Sequence, residues 1–298
     1  MGEKTSNFLH VSGLKCSLFK NKEDNEMKKE KKIKMGIAKK LLVMILPVAA
    51  VVMAGIIFYY HTRVKAELID NGKTIVESQS QNHAKEVQIE VNNILREVNV
   101  MRDSLEVLNP DEVGSNKFMD ATVGYNKMYP TGLYIGDAKD KFAGADGWVP
   151  GPDFITYERG WYKDGIQSDE MKFGEPYIDA NTGQYCVTAA GSLTLQGFDK
   201  PVVAADIYLE DISNLVAKYK VMKTGKSLLV YHSDEQDVVM AYSNKKTIGS
   251  KLSEYSQKEI LGSISDVVKS MDGSAKILTV DGANYYVVAN KIADCGWV

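Results

Sequence analysis

Cysteine and histidine are scarce in this chain of 298 residues: there are three of the first and four of the second. Cys16, Cys186 and Cys295 lie far apart without C-x-x-C spacing, which argues against a zinc site or a disulfide framework and leaves buried thiols as the expectation for Cys186 and Cys295. His10, His61 and His83 flank an apolar run near the N-terminus. The fourth, His232, has Asp234, Glu235 and Asp237 beside it, but the spacing is neither that of an EF-hand nor that of a zincin, and a solvated hairpin turn accounts for it. No G-x-S-x-G and no paired Cys/His arrangement supplies a nucleophile with its base. Thr224-Gly225-Lys226-Ser227 lacks the first glycine of a phosphate loop. Neither a metal, a cofactor nor catalysis is expected.

A basic face is also missing. Residues 1–40 hold eleven lysines and five acidic residues, which leaves 25 basic and 34 acidic residues beyond them. That balance excludes nucleic-acid docking and suits a basic anchor followed by an acidic body.

What the sequence does have is one long apolar run. Leu41 to Tyr60 is twenty residues without a charge, and at a rise of about 1.5 Å per residue it matches a hydrocarbon core of roughly 30 Å. Lys28, Lys29, Lys31, Lys32, Lys34, Lys39 and Lys40 precede it, whereas Arg63 and Lys65 alone follow closely. The positive-inside rule then leaves the N-terminus in the cytoplasm and the rest outside. A run of this length without an A-x-A-like site after it reads as a spanning helix and not as a cleaved signal. Pro47 falls in its first third, and Tyr59 and Tyr60 suit the outer interface. The first 26 residues differ in character from the rest, so Met27 and Met35 are alternative starts.

Proline, seven residues in all, is absent between Pro47 and Pro110. Within that interval Val87, Val91, Ile94, Val98, Met101 and Leu105 step by four and three, the spacing of a helical seam. The spacing predicts a long helix ending at Asn109-Pro110; its seam can pack on its own domain or on a second subunit. Beyond Gly132 come short runs, LYIG, YCVTAAGSL and VVAADIYL, between Gly, Pro and Asp turns, and these read as antiparallel strands. A helix is expected from Leu209 to Tyr219. SLLVYH and VVMAYS follow as strands, Gln257 to Met271 as helical, and AKILTV and NYYVVANKI as a hairpin across Asp281-Gly282.

The densest polar and aromatic stretch is FITYERGWYKDGIQSDEMKFGEPYID, Phe154 to Asp179, followed by VVAADIYLEDI around Asp206. A long helix, then R-x-W-Y, then E-P-Y-x-D, then a strand ending in Asp resembles the double Cache (dCache) sensor regions of bacterial methyl-accepting chemotaxis proteins, over residues 35–298. The resemblance implies an α+β chain: residues 1–40 cytoplasmic, 41–60 spanning the membrane, 61–110 a long exterior helix, 111–212 a membrane-distal PAS-like module that binds the ligand, and 213–298 a membrane-proximal PAS-like module. It implies a homodimer that answers to a small polar ligand and acts on a cytoplasmic kinase pathway. Carried over by position, Arg159 and Trp161 would hold the carboxylate of an amino acid with Tyr162 beside them, while Tyr177, Asp179 and Asp206 would surround its amine. The chemistry agrees: a guanidinium offers a carboxylate two parallel charge-assisted bonds, and an ammonium needs acceptors. The family places a tyrosine five residues before the arginine, where this chain has Phe154; a different small carboxylate or polar metabolite therefore stays open beside the amino acid. The ending at Val298, ahead of any second span, leaves a chemoreceptor, a histidine kinase and a diguanylate cyclase as alternative outputs.

Overall fold

The computed structural model describes residues 36–145, 147–292 and 295–298. Cys16, His10, the lysines from Lys28 to Lys34 and the alternative starts Met27 and Met35 lie outside the described residues. The chain divides into two compact units, Met1–Glu67 and Leu68–Val298. Helix α1 runs Ile37–Leu108 and contains Pro47. In the first unit its apolar residues from Leu41 to Tyr60 are exposed, and the helix is long and apolar enough to cross a membrane.

Within the second unit, α1 buries Val87, Val91, Ile94, Val98, Arg102 and Leu105. The expected seam is present, with Met101 half-buried against the core and Arg102 beside it buried. The helix stops where Asn109 takes a positive φ of 40° and Pro110 follows. Asp111 then caps α2 (Glu112–Asp120), its carboxylate accepting the Gly114 N–H at 2.8 Å.

Six strands follow: β1 (Leu133–Gly136), β2 (Phe142–Gly144), β3 (Lys172–Phe173), β4 (Tyr177–Ile178), β5 (Tyr185–Ser192) and β6 (Val202–Tyr208). They form one antiparallel sheet in the order β2-β1-β6-β5-β3, with β4 also beside β5. β6 is buried along its whole length, because both faces of the sheet are covered. Alternation sorts its side chains. Val203, Ala205 and Ile207 join Val187, Ala189, Leu133 and Ile135 in the core against α1. Val202 and Ala204 turn the other way, with Ala190 and Tyr134, onto Trp161 and Tyr162 of the short helix α3 (Gly160–Gly165). Asp206 shares this second face.

The second half opens with α4 (Leu209–Val216) and continues with β7 (Lys220–Val221), β8 (Gly225–Lys226), β9 (Leu229–His232) and β10 (Asp237–Ala241). The helical stretch expected from Gln257 to Met271 is two short helices, α5 (Ile260–Ser263) and α6 (Ser265–Ser270), parted at Ile264. β11 (Lys276–Val280) and β12 (Ala283–Val287) pair across Asp281 and Gly282, whose φ values of 48° and 75° are those of a tight hairpin. Here the strands form separate two-stranded ladders, and the C-terminal residues run beside β9, with the Val230 N–H reaching the Val298 carbonyl at 2.9 Å. The His232 region is the expected hairpin, β9 and β10 joined by a turn in which Asp234 and Glu235 are exposed, while at its base His232 Nδ1 lies 2.6 Å from Asp237 Oδ1 with the two side chains 20% and 10% exposed. Met240, Ile292 and Trp297 belong to the same core as α1 and β6, so the second unit is continuous across both halves. Cys186 and Cys295 are both buried.

Candidate ligand-binding site

The polar face of the main sheet converges on one carboxylate. Asp206 is 6% exposed and lies directly across from Thr188 in the β5–β6 register. Its Oδ1 accepts three hydroxyls, from Thr188 at 2.5 Å, Tyr134 at 2.9 Å and Tyr177 at 3.2 Å. Oδ2 receives no hydrogen bond from a described residue, which leaves it as the unclaimed acceptor. Burial pushes the Asp206 carboxyl up to about 6, against the three hydroxyl bonds that favour its ionised form. The same burial, with Asp206 close by, raises the Tyr134 and Tyr177 hydroxyls well above the usual phenol range.

Asp206 lines a cavity together with Thr131, Tyr134, Phe142, Ala145, Trp148, Phe154, Arg159, Trp161, Tyr177, Asp179, Ala180, Asn181 and Tyr208. The cavity is partly open to solvent and its volume is about 30 Å³. Six of the seven residues expected at the site are therefore brought to one cavity. Tyr162 is the exception: its hydroxyl donates to the Lys200 carbonyl at 2.8 Å, and its ring backs Trp161 at 6.0 Å. Neighbours on one helical turn point about 100° apart, and here Trp161 lines the cavity while Tyr162 packs behind it.

Arg159 precedes α3 and is half-buried, with its guanidinium 4.9 Å over the Phe154 ring. It forms no ion pair with a described residue; Glu158 and Asp164, its nearest acidic neighbours in sequence, do not bridge to it. Trp161 is 4% exposed and meets Tyr134 edge-on at 5.0 Å. Gly136 permits this approach, because a Cβ there would collide with Trp161 and Thr156. Asp179 lines the cavity, but its carboxylate is engaged by its own turn: the Asn181 and Thr182 N–H groups donate at 3.1 and 2.9 Å, the Thr182 hydroxyl at 2.7 Å and Tyr208 at 3.3 Å. Asp206 is thus the stronger candidate for meeting a cation.

Tyr134, Thr188, Phe142, Trp148 and Tyr208 escaped the sequence reading. Tyr134 and Thr188 stand 72 and 18 residues from Asp206, and only strand register brings them together. The signal that could have found them is alternation, which puts Thr188, Asp206 and Tyr208 on one face once β5 and β6 are paired. A second, larger cavity of about 690 Å³ lies between α1, β9 and β12 in the other half. Among the described residues, the Lys and His that line it are Lys226, which is exposed, and His83, which is half-buried.

Residues 108–214 match the family model described as the methyl-accepting chemotaxis protein-like first PDC sensor domain. Over 274 residues the chain is 23% identical to the methyl-accepting chemotaxis protein McpC of Bacillus subtilis (strain 168), covering 90% of this chain and 39% of that protein. The chain therefore spans about two-fifths of the length of this curated relative. In fold it is similar to the ligand-binding domain of the Pseudomonas fluorescens chemoreceptor CtaA in complex with L-isoleucine, with a TM-score of 0.63 at 19% identity over 78% of this chain and 92% of that one. The ligand-binding domain of the Pseudomonas aeruginosa PAO1 amino acid chemoreceptor PctC with GABA gives 0.59 at 18% identity, over 76% and 96%. Over residues 108–214 the chain is thus similar to the methyl-accepting chemotaxis protein-like first PDC sensor domain, and its fold is that of double Cache ligand-binding domains.

Proposed function

We propose that this chain is the extracytoplasmic sensing region of a transmembrane chemoreceptor, and that the cavity of residues 111–212 takes an α-amino acid. One observation carries the reading. Arg159 and Asp206 line the same cavity with opposite charges, and neither the guanidinium nor Asp206 Oδ2 has an ionic or hydrogen-bonded partner among the described residues. Such a pair complements a zwitterion: the guanidinium takes the carboxylate through two parallel bonds and the buried carboxylate takes the ammonium. Trp161 and Tyr177 supply further walls, and residues 213–298 form the module between the sensor and the span. The relatives support this reading, McpC as a chemotaxis protein and CtaA and PctC with L-isoleucine and GABA.

The lysines ahead of Leu41 orient the N-terminus to the cytoplasm. Exposed apolar positions of α1, including Ile69, Ile75 and Ile89, suit a homodimer in which ligand binding shifts the helices by about 1–2 Å and so acts on a cytoplasmic kinase pathway. The role is recognition, not turnover. A second reading, a small carboxylate without an amine, is favoured by Phe154, which offers a ring where a hydroxyl would reach an amino acid. Isothermal titration of the full chain in detergent with L-amino acids and with lactate and succinate separates the two. Binding of an L-amino acid supports the proposal, and binding of the amine-free acids alone overturns it.

A further inference from the structure

We propose that Phe142, Trp148 and Phe154 form the side-chain subsite of this cavity and select α-amino acids whose side chain is uncharged and apolar. The inference rests on the amino-acid reading above. An α-substituent branches from the carbon between the carboxylate and the amine. Once Arg159 and Asp206 hold those two groups, the substituent must meet whatever wall remains. Much of that wall is three rings from separate segments, set edge-to-face: Phe142 to Trp148 at 5.3 Å, Phe142 to Phe154 at 5.7 Å and Trp148 to Phe154 at 5.2 Å. Arg159 lies over Phe154 at 4.9 Å, so the rings adjoin the carboxylate anchor.

What the remaining wall lacks decides the class. Apart from Arg159 and Asp206, the charged group lining the cavity among the described residues is Asp179, whose oxygens are taken by Asn181, Thr182 and Tyr208. A ligand ammonium or carboxylate on the side chain would lose its water there and find, among the described residues, only the neutral Thr131 hydroxyl and Asn181 amide beside the rings, a cost that an aliphatic side chain does not carry. Phe154, a ring with no hydroxyl, makes the same choice at the rim of the anchor.

The test titrates the full chain in detergent with L-isoleucine, L-alanine, L-lysine and L-aspartate, then repeats isoleucine and alanine with Trp148→Ala. L-isoleucine should bind about tenfold or more tighter than lysine or aspartate. Trp148→Ala should weaken isoleucine about tenfold while alanine, which keeps both anchors, stays within roughly threefold. Trp148→Leu, which retains apolar volume, should give the same pattern more weakly if the alanine variant melts early. Lysine or aspartate binding as tightly as isoleucine overturns the inference alone, as does equal weakening of isoleucine and alanine. Failure of all four to bind the wild type overturns the amino-acid reading and the inference with it.

Discussion

Tyr231 of β9 donates its hydroxyl to Glu175 at 3.2 Å, and Gln236 donates to the other oxygen of the same carboxylate, also at 3.2 Å. Burial, and then the Glu175 charge, push the Tyr231 hydroxyl up to about 12. Glu175 stands two residues before Tyr177, so a single short segment touches the cavity through one side chain and the second half of the unit through the other. Removing it with Glu175→Ala should loosen β9 and β10 by about 1 kcal/mol. Hydrogen exchange followed by mass spectrometry should show faster exchange of their amides with β5 and β6 unchanged, and Tyr231→Phe should give a smaller effect because the Gln236 bond remains. Unchanged exchange in β9 and β10 would show the contact to be idle.

Asp206 makes a pH prediction with a definite sign. Its carboxyl rises from 3.8 to about 6 in the folded chain, with Asp179 as the nearby charge that adds to the rise, and Tyr134, Tyr177, Thr188 and Cys186 around it. Between about pH 4 and 6 the unfolded chain gives up this proton before the folded one does. Stability is therefore full below the lower value and falls as pH rises through the upper one, by about 3 kcal/mol in all. Asp206→Asn should abolish that part of the pH dependence and melt higher than the wild type at pH 7.5. Amino-acid binding should run the other way, weakening as pH drops below about 6, since an ammonium needs the ionised carboxylate. A dissociation constant that stays flat from pH 5 to 7.5 contradicts the assignment.

The contact of Arg159 with the Phe154 ring contributes little to folding, so Arg159→Ala should shift stability by less than about 1 kcal/mol. The same change should weaken an amino-acid ligand by about 30-fold or more, the worth of a lost charge-assisted pair. Arg159→Lys should recover only part of it, because a point charge cannot form two parallel bonds. Calorimetric titration beside a thermal melt reads both quantities, and an unchanged affinity in the alanine variant removes Arg159 from the site.

Arg102 is the charged member of the buried helical seam. Its Nε donates to the Ser192 carbonyl at 2.7 Å, and its guanidinium pairs with Asp103 at 2.6 Å and Glu106 at 3.2 Å. Arg102→Met keeps the volume and leaves the Ser192 carbonyl and Asp103 without this donor, while Glu106 keeps the Thr194 N–H at 2.7 Å, so urea unfolding should show a loss of about 1–3 kcal/mol. A neutral result would mean that water replaces the guanidinium at the end of β5.

Much of the architecture was legible from neighbouring residues alone. The apolar run of Leu41 to Tyr60, the four-and-three spacing from Val87 to Leu105, the stop at Asn109-Pro110 and the hairpin at Asp281-Gly282 are settled by the preferences of a few adjacent bonds. The order of R-x-W-Y, E-P-Y-x-D and the strand aspartate pointed to the cavity, but side-chain direction was decided by the tertiary structure. Arg102 is buried beside a half-buried Met101, and the Tyr162 hydroxyl leaves the cavity for the Lys200 carbonyl while Trp161 lines it, because one step along a helix rotates a side chain by about 100°. The partners of Asp206 were out of reach for the same kind of reason: Tyr134 and Thr188 come to it through the register of β1, β5 and β6, which depends on how distant strands bury their apolar faces. Periodicity is local and can be read along the chain; which face meets which is a property of the packed whole.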